Sequence, residues 1–138
     1  MVLDGETPNG GFRLDWPFGW GLLLIGDGAS QELPSIRRGV AVTATGSVIA
    51  VGVRHAQDVE PGSAIHEFHV SVEVRVGQPA DRSHCFDCLI DVPSGRITLG
   101  DADREEEVDV GPGRWRVQVA LEPEDLPEHV DVWITKAT

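Results

Sequence analysis

Apolar and polar residues alternate along much of this chain. Over residues 68–76, Phe68, Val70, Val72, Val74 and Val76 fall on one side, and His69, Ser71, Glu73 and Arg75 on the other. A period of two places successive side chains on opposite faces, as in a half-buried antiparallel strand. Residues 113–121 repeat the pattern, with Trp115, Val117, Val119 and Leu121 opposite Arg114, Arg116 and Gln118. Residues 129–136 set Val130, Val132 and Ile134 against Asp131, Trp133 and Thr135. By parity Trp115 belongs to the core, whereas Trp133 faces outward or covers a sheet edge. Further strands are predicted over 11–16, 20–26, 39–44, 47–54, 84–92, 95–99 and 106–110, most of them bounded by Gly, Pro, Asp or Asn. No window carries a helical apolar stripe. Pro123 and Pro127 limit a helical turn near 122–128. Short strands at this spacing predict an all-β fold, a two-sheet antiparallel β-sandwich of about eight to ten strands.

Two segments resemble each other. LDWPFGWGLLLIGD (14–27) aligns with IDVPSGRITLGD (90–101) once a short insertion is allowed after the glycine. Leu14 then meets Ile90, Asp15 meets Asp91, Pro17 meets Pro93, Gly19 meets Gly95, and Gly26-Asp27 meets Gly100-Asp101. Each copy is followed by a glycine-led apolar strand, at 46–53 and 113–120. The repeat predicts one domain spanning 1–138 with pseudo-twofold halves, about 11–54 and 84–121. Asp-x-Pro-x-Gly is turn chemistry, with Pro presetting φ and Gly supplying a positive φ, and a hairpin is expected at each copy. Asp15 and Asp91 would then accept backbone N–H bonds from the turns.

Charge narrows the possible partners. The chain of 138 residues carries 23 acidic and 11 basic residues, a net charge of −12. Residues 1–80 hold nine acids and five bases, and residues 81–138 fourteen acids and six bases, so the second part is the more negative. Direct binding to nucleic acid needs clustered Lys and Arg, and this balance disfavours it. No apolar run is long enough for a transmembrane helix, so no membrane partner is expected. The N-terminal MVLDGETPNGG lacks the basic and apolar regions of a leader peptide, which predicts cytoplasmic residence.

Several residue constellations have the types that chemistry requires. His66, His69, Cys85 and Cys88 supply zinc-type ligands in H-x-x-H and C-x-x-C spacing. On strands, however, residues three apart face opposite ways, with Cys88 inward and Cys85 outward. The same geometry sets Cys85 and Cys88 too far apart for a disulfide. Asp101, Asp103 and Glu105 have the alternate spacing of oxygen ligands for calcium, without the glycine of an EF-hand loop. No nucleophile elbow, phosphate loop or lysine-centred site is present, so no catalytic residue and no cofactor is assigned. Trp16, Phe18 and Trp20 crowd one turn, either as a cap on the sandwich or as anchors for a partner.

The C-terminal half carries a resemblance. Val92-Pro93-Ser94-Gly95-Arg96, then an acidic stretch, then Val110-Gly111-Pro112-Gly113-Arg114-Trp115-Arg116-Val117, then Val130-Asp131-Val132-Trp133-Ile134 resemble the bacterial competence protein J-like proteins. In the N-terminal half only the strand over 46–53 is loosely similar. The family often has Tyr where this chain has Trp115. That family includes inhibitors of nucleases that act as DNA enters the cell. The resemblance implies a small β protein that binds a partner such as a nuclease.

Together these readings predict a non-enzymatic module whose acidic surface binds a basic protein. The partner-binding residues are Asp101, Asp103, Glu105, Glu106, Glu107 and Asp109, with Trp16 and Trp20 as anchors. The alternative is a metal- or small-ligand-binding β-sandwich, and pairing of copies through a strand edge is a third expectation.

Overall fold

The computed structural model describes residues 11–35, 40–59, 62, 64, 67–83, 86–101, 104–123 and 127–137. Among them lie ten strands: β1 (Gly11–Pro17), β2 (Leu22–Asp27), β3 (Val42–Ala44), β4 (Val48–Gly52), β5 (His69–Val76), β6 (Phe86–Val92), β7 (Arg96–Gly100), β8 (Glu105–Asp109), β9 (Gly113–Glu122) and β10 (His129–Lys136). They form two five-stranded sheets. Sheet I has the order β1-β5-β10-β9-β6, and sheet II the order β3-β4-β2-β7-β8. The pairing is antiparallel except between β5 and β10, because the last strand slots in beside β5 in the same direction. The all-β sandwich expected from the alternation is the fold that forms.

Alternation sets the inner faces. Val70, Val72, Val74 and Val76 of β5, Val130, Val132 and Ile134 of β10, and Trp115, Val117 and Val119 of β9 supply the sheet I side of the core. Leu23, Ile25, Ile49, Val51, Ile97 and Leu99 supply the sheet II side. Burying each such side chain is worth about 1.5–3 kcal/mol. A one-residue slip would turn a whole set to solvent, so the two inner faces fix the register.

The Asp-x-Pro-x-Gly turns are not hairpins. Each carries the chain from one sheet to the other, β1 to β2 and β6 to β7. The second turn closes by Gly95 N–H donating to the Val92 carbonyl (3.1 Å), with Gly95 at φ +78°. In the first copy the insertion moves the closure, so that Gly21 rather than Gly19 takes a positive φ, +66°, and donates to Phe18. Asp15 and Asp91 do not serve the turns. They lie exposed on the outer face of sheet I, near His69 and Arg114 respectively. It is Asp27 that accepts the N–H and hydroxyl of Ser94 in the second turn (3.0 and 2.6 Å).

The strands β1, β2, β4, β5 visit the sheets in the same sequence as β6, β7, β8, β9. By this order the strand over 46–53 corresponds to β8, and the strand over 113–120 to β5, instead of to each other as the alignment suggested. The Gly-Asp pairs occupy like positions. Asp27 N–H donates to the Ser47 carbonyl and Asp101 N–H to the Arg104 carbonyl, both at 2.9 Å. A Cβ on Gly26 would stand 2.7 Å from the Ser47 oxygen, and one on Gly100 would collide with the Arg104 oxygen. Glycine at each site lets the next strand of sheet II approach.

Trp133 is 0% exposed, neither outward nor at an edge. Its parity is outer, as expected, but the chain from β5 to β6 must cross β10 and β9, and residues 77–83 lie over it. Ala80 N–H bonds to Gln118 (3.0 Å), and the Arg75 and Arg82 guanidiniums each sit 5.6 Å from the Trp133 ring. Both also reach the buried Asp131 carboxylate at 3.0 Å.

Two stability results are expected. Gly100→Ala loses about 3 kcal/mol in urea unfolding through backbone strain and collision, whereas Gly46→Ala, whose added Cβ meets nothing within 4 Å, changes little. Asp131→Ala leaves two cations over a buried indole and costs about 2 kcal/mol or more. A loss below 0.5 kcal/mol would contradict the clamp.

Candidate functional site

The two outer faces handle charge differently. On the strands of sheet I four of the six carboxylates meet a guanidinium, whereas Asp15 stands by His69 and Glu122 makes no ion pair among the described residues. Glu73 pairs with Arg75 (2.8 Å), Asp91 with Arg114 (3.2 Å), Asp131 with Arg75 and Arg82, and Asp87 with Arg116. The Asp87 carboxylate, through its hydrogen bond and its charge, raises the pKa of Arg116; Asp131 does the same for Arg75. Cross-strand register generates two of these pairs, since Asp91 lies opposite Arg114 and Asp87 lies two positions from the residue opposite Arg116, diagonally on the same face. Acids and guanidiniums are thus interspersed across this face, and the firmest of the pairs is the buried Asp131 with Arg75 and Arg82.

Sheet II ends in an edge strand of a different kind. Four of the five residues of β8 are acidic and exposed. Glu105, Glu107 and Asp109 lie opposite Gly100, Thr98 and Arg96, on the outer face. Val108, opposite Ile97, turns inward and packs on the core, with Glu106 on its side of the strand. Among the described residues, the ion pair made by this strand is Glu107 with Arg96 (3.4 Å), and both partners are about half exposed, so it contributes little.

The predicted site residues therefore separate. Glu105, Glu106, Glu107 and Asp109 share one edge. Asp101 is 7% exposed and its carboxylate accepts the Arg104 N–H (3.2 Å), closing the β7–β8 turn. Asp103 lies outside the described residues. Trp16 is half-buried on the inner side of β1, 6.3 Å from Phe18 and capped by the Arg104 guanidinium at 5.5 Å, so it closes the end of the sandwich. Trp20 is 67% exposed at the turn before β2.

Trp20 opens onto a feature the sequence did not signal. Over β2 and β4 the outer face of sheet II is apolar and indented. One pocket of about 270 Å³ lies among Trp20, Leu22, Val40, Thr43 and Ala50. A second, of about 260 Å³, lies further along β2 among Leu24, Leu33, Val48, Gly100 and Glu105. Leu22 and Leu24 are two apart on the same strand face, so the hollows share one surface. Leu33, 76% exposed, overhangs the second. Its loop is tied to the β3–β4 turn by Glu32, which accepts hydroxyl hydrogen bonds from Ser47 and from Thr45 (2.8 Å). The Ser47 bond, followed by the Thr45 bond, holds the Glu32 carboxyl below its ordinary range. Leu33 follows no alternation, which is why periodicity missed it.

Of the metal-type residues, the two that are described, His69 and Cys88, lie apart. His69 is exposed on the outer face of sheet I beside Asp15, while Cys88 packs against the core on β6. His66 and Cys85 lie outside the described residues, and among the described ones no group of three His, Cys, Asp or Glu is gathered for a metal. Burial, then the neighbouring Asp87 charge, pushes the Cys88 thiol up.

No known protein family matches the chain, and no curated protein matches it. Solved structures do. ComJ from Bacillus subtilis, an inhibitor of the DNA-degrading activity of NucA, is similar at a TM-score of 0.51 and 8% identity, covering 91% of this chain and 99% of that one. The product of Crocagin biosynthetic gene J is similar at a TM-score of 0.51 and 17% identity, covering 93% and 96%. At these identities the likeness is one of fold.

The thiol shift has a measurable consequence. In a Cys85→Ser protein at pH 8, Cys88 is expected to alkylate at least roughly threefold more slowly folded than unfolded, because a raised pKa starves it of thiolate. Equal rates, followed by mass spectrometry, would contradict that placement.

Proposed function

We propose that this domain is a non-enzymatic protein-binding module that engages a basic partner through sheet II, and that the partner is a DNA-degrading nuclease or a toxin of similar charge. The carrying observation is the unequal neutralisation of the two outer faces. Sheet I pairs four of its six strand carboxylates with arginines, whereas β8 carries four exposed acids, three of them on the outer face, with one weak ion pair among the described residues. Unpaired like charges on one strand do not stabilise the isolated domain. They create a field that attracts a cationic surface and discourages a second copy from pairing with this edge.

The geometry suits a nuclease. Alternate carboxylates on an extended strand stand about 6.8 Å apart, a regular line of negative charge. A nuclease site built to hold successive phosphates is cationic and offers the complement. On the same outer face, Leu33 shares a pocket with Glu105 of the line, and Trp20, toward β3 and β4, adds further apolar area of the type that anchors interfaces. The fold shared with ComJ, itself an inhibitor of a DNA-degrading activity, supports binding over catalysis.

The test is charge reversal on a strand that contributes one residue, Val108, to the core. Glu105→Lys, Glu107→Lys and Asp109→Lys together are expected to slow association with the inhibited nuclease by about tenfold or more at low salt, with melting nearly unchanged. The assay is DNA degradation by nucleases encoded in the same genome, with and without the protein. Full inhibition by the triple variant would remove β8 from the interface.

A further inference from the structure

We infer that the pocket between Leu33 and β8 receives an arginine side chain of the protein partner; this rests on the docking face proposed above and names what that face grips. The pocket holds about 260 Å³, enough for one long side chain but not for a folded element. Its floor is aliphatic and shallow-backed, made by Leu24 and Val48 with Gly26 and Gly100, which have no side chains to fill it. Four acidic residues line it, Asp27, Glu32, Asp101 and Glu105, and among the described residues no cation does. An aliphatic stem lying on Leu24 and under Leu33, with a cationic head at the rim, matches both properties at once.

The four carboxylates differ in availability. Asp27 is committed to Ser94 and to the Ala29 N–H. Asp101 closes its own turn. Glu32 accepts from two hydroxyls yet is exposed, and it reaches the pocket from the loop over β4. Glu105 comes from the opposite side, on β8, and makes no ion pair among the described residues. A head that answers carboxylates on two walls needs donors spread in a plane. Guanidinium has five in a fixed fork, whereas an ammonium is a compact point charge. The partner residue is therefore arginine in preference to lysine. A neutral apolar side chain would fill the floor and leave the rim acids unanswered.

The test uses the isotope-labelled full chain and N-acetyl-arginine amide, compared with its neutral isostere N-acetyl-citrulline amide. The arginine probe is expected to shift the amides of Leu24, Gly26, Leu33, Val48 and Gly100 saturably at low salt. The citrulline probe should bind at least roughly fivefold more weakly, and Glu105→Gln should weaken the arginine probe roughly threefold. No saturable shift at these amides, or equal binding of the two probes, overturns the inference. A Leu24→Trp variant fills the pocket and leaves the β8 charges in place. If it inhibits the nuclease as well as wild type while the triple β8 variant does not, the arginine site fails and the protein-binding reading stands. If the arginine probe fills the pocket but no nuclease is inhibited, the site stands and the nuclease reading fails.

Discussion

Two five-stranded sheets share a single apolar layer, and the crossings between them depend on close backbone approach at the Gly26-Asp27 and Gly100-Asp101 steps. At each step an aspartate N–H reaches the carbonyl of an incoming strand, Ser47 or Arg104, over a glycine that has no side chain to obstruct it. The first step admits β4 and the second admits β8. The acidic edge exists where it does because Gly100 permits it. Asp27 extends the same arrangement by holding the second inter-sheet turn through Ser94. Backbone hydrogen bonds and the inner apolar faces thus set the frame, and the polar residues left outside are free to differ between sheets.

That difference gives the molecule its polarity. Sheet I is crossed by the 77–83 segment and neutralised by guanidinium groups, so its outer face is occupied with the domain's own stability. Among the described residues no segment comparably covers β2, β4 and β7 of sheet II, and its edge strand keeps most of its charge. An apolar hollow beside a line of carboxylates costs the free domain something in solvation and repulsion, and a cationic, partly apolar partner would reverse both effects. Long-range attraction along β8 would accelerate encounter, while the pockets would govern how long the complex lasts.

Much of the fold was legible because period-two alternation reports burial directly. The strands at 68–76, 113–121 and 129–136 became β5, β9 and β10 nearly residue for residue. Parity alone did not reveal what covers an outer face. Trp133 has outer parity and is buried because a connection passes over it, a fact of topology that no local pattern encodes. The Asp-x-Pro-x-Gly segments announced turns but not that each turn changes sheet. Glycine-led strands looked alike at 46–53 and 113–120 although they belong to different sheets. For the candidate site, composition pointed to β8, while Asp101 could not be separated from its exposed neighbours without the turn it closes. Leu33 and the hollows beside it arise from long-range packing and left no signature in sequence.

Hydrogen exchange on the protein, free and in complex with a nuclease it inhibits, tests the central claim most directly. The account predicts slowed exchange at β8 and around residues 30–33, with the outer face of sheet I unchanged. Protection confined to sheet I, or the absence of a complex with any nuclease of the same genome, would contradict it.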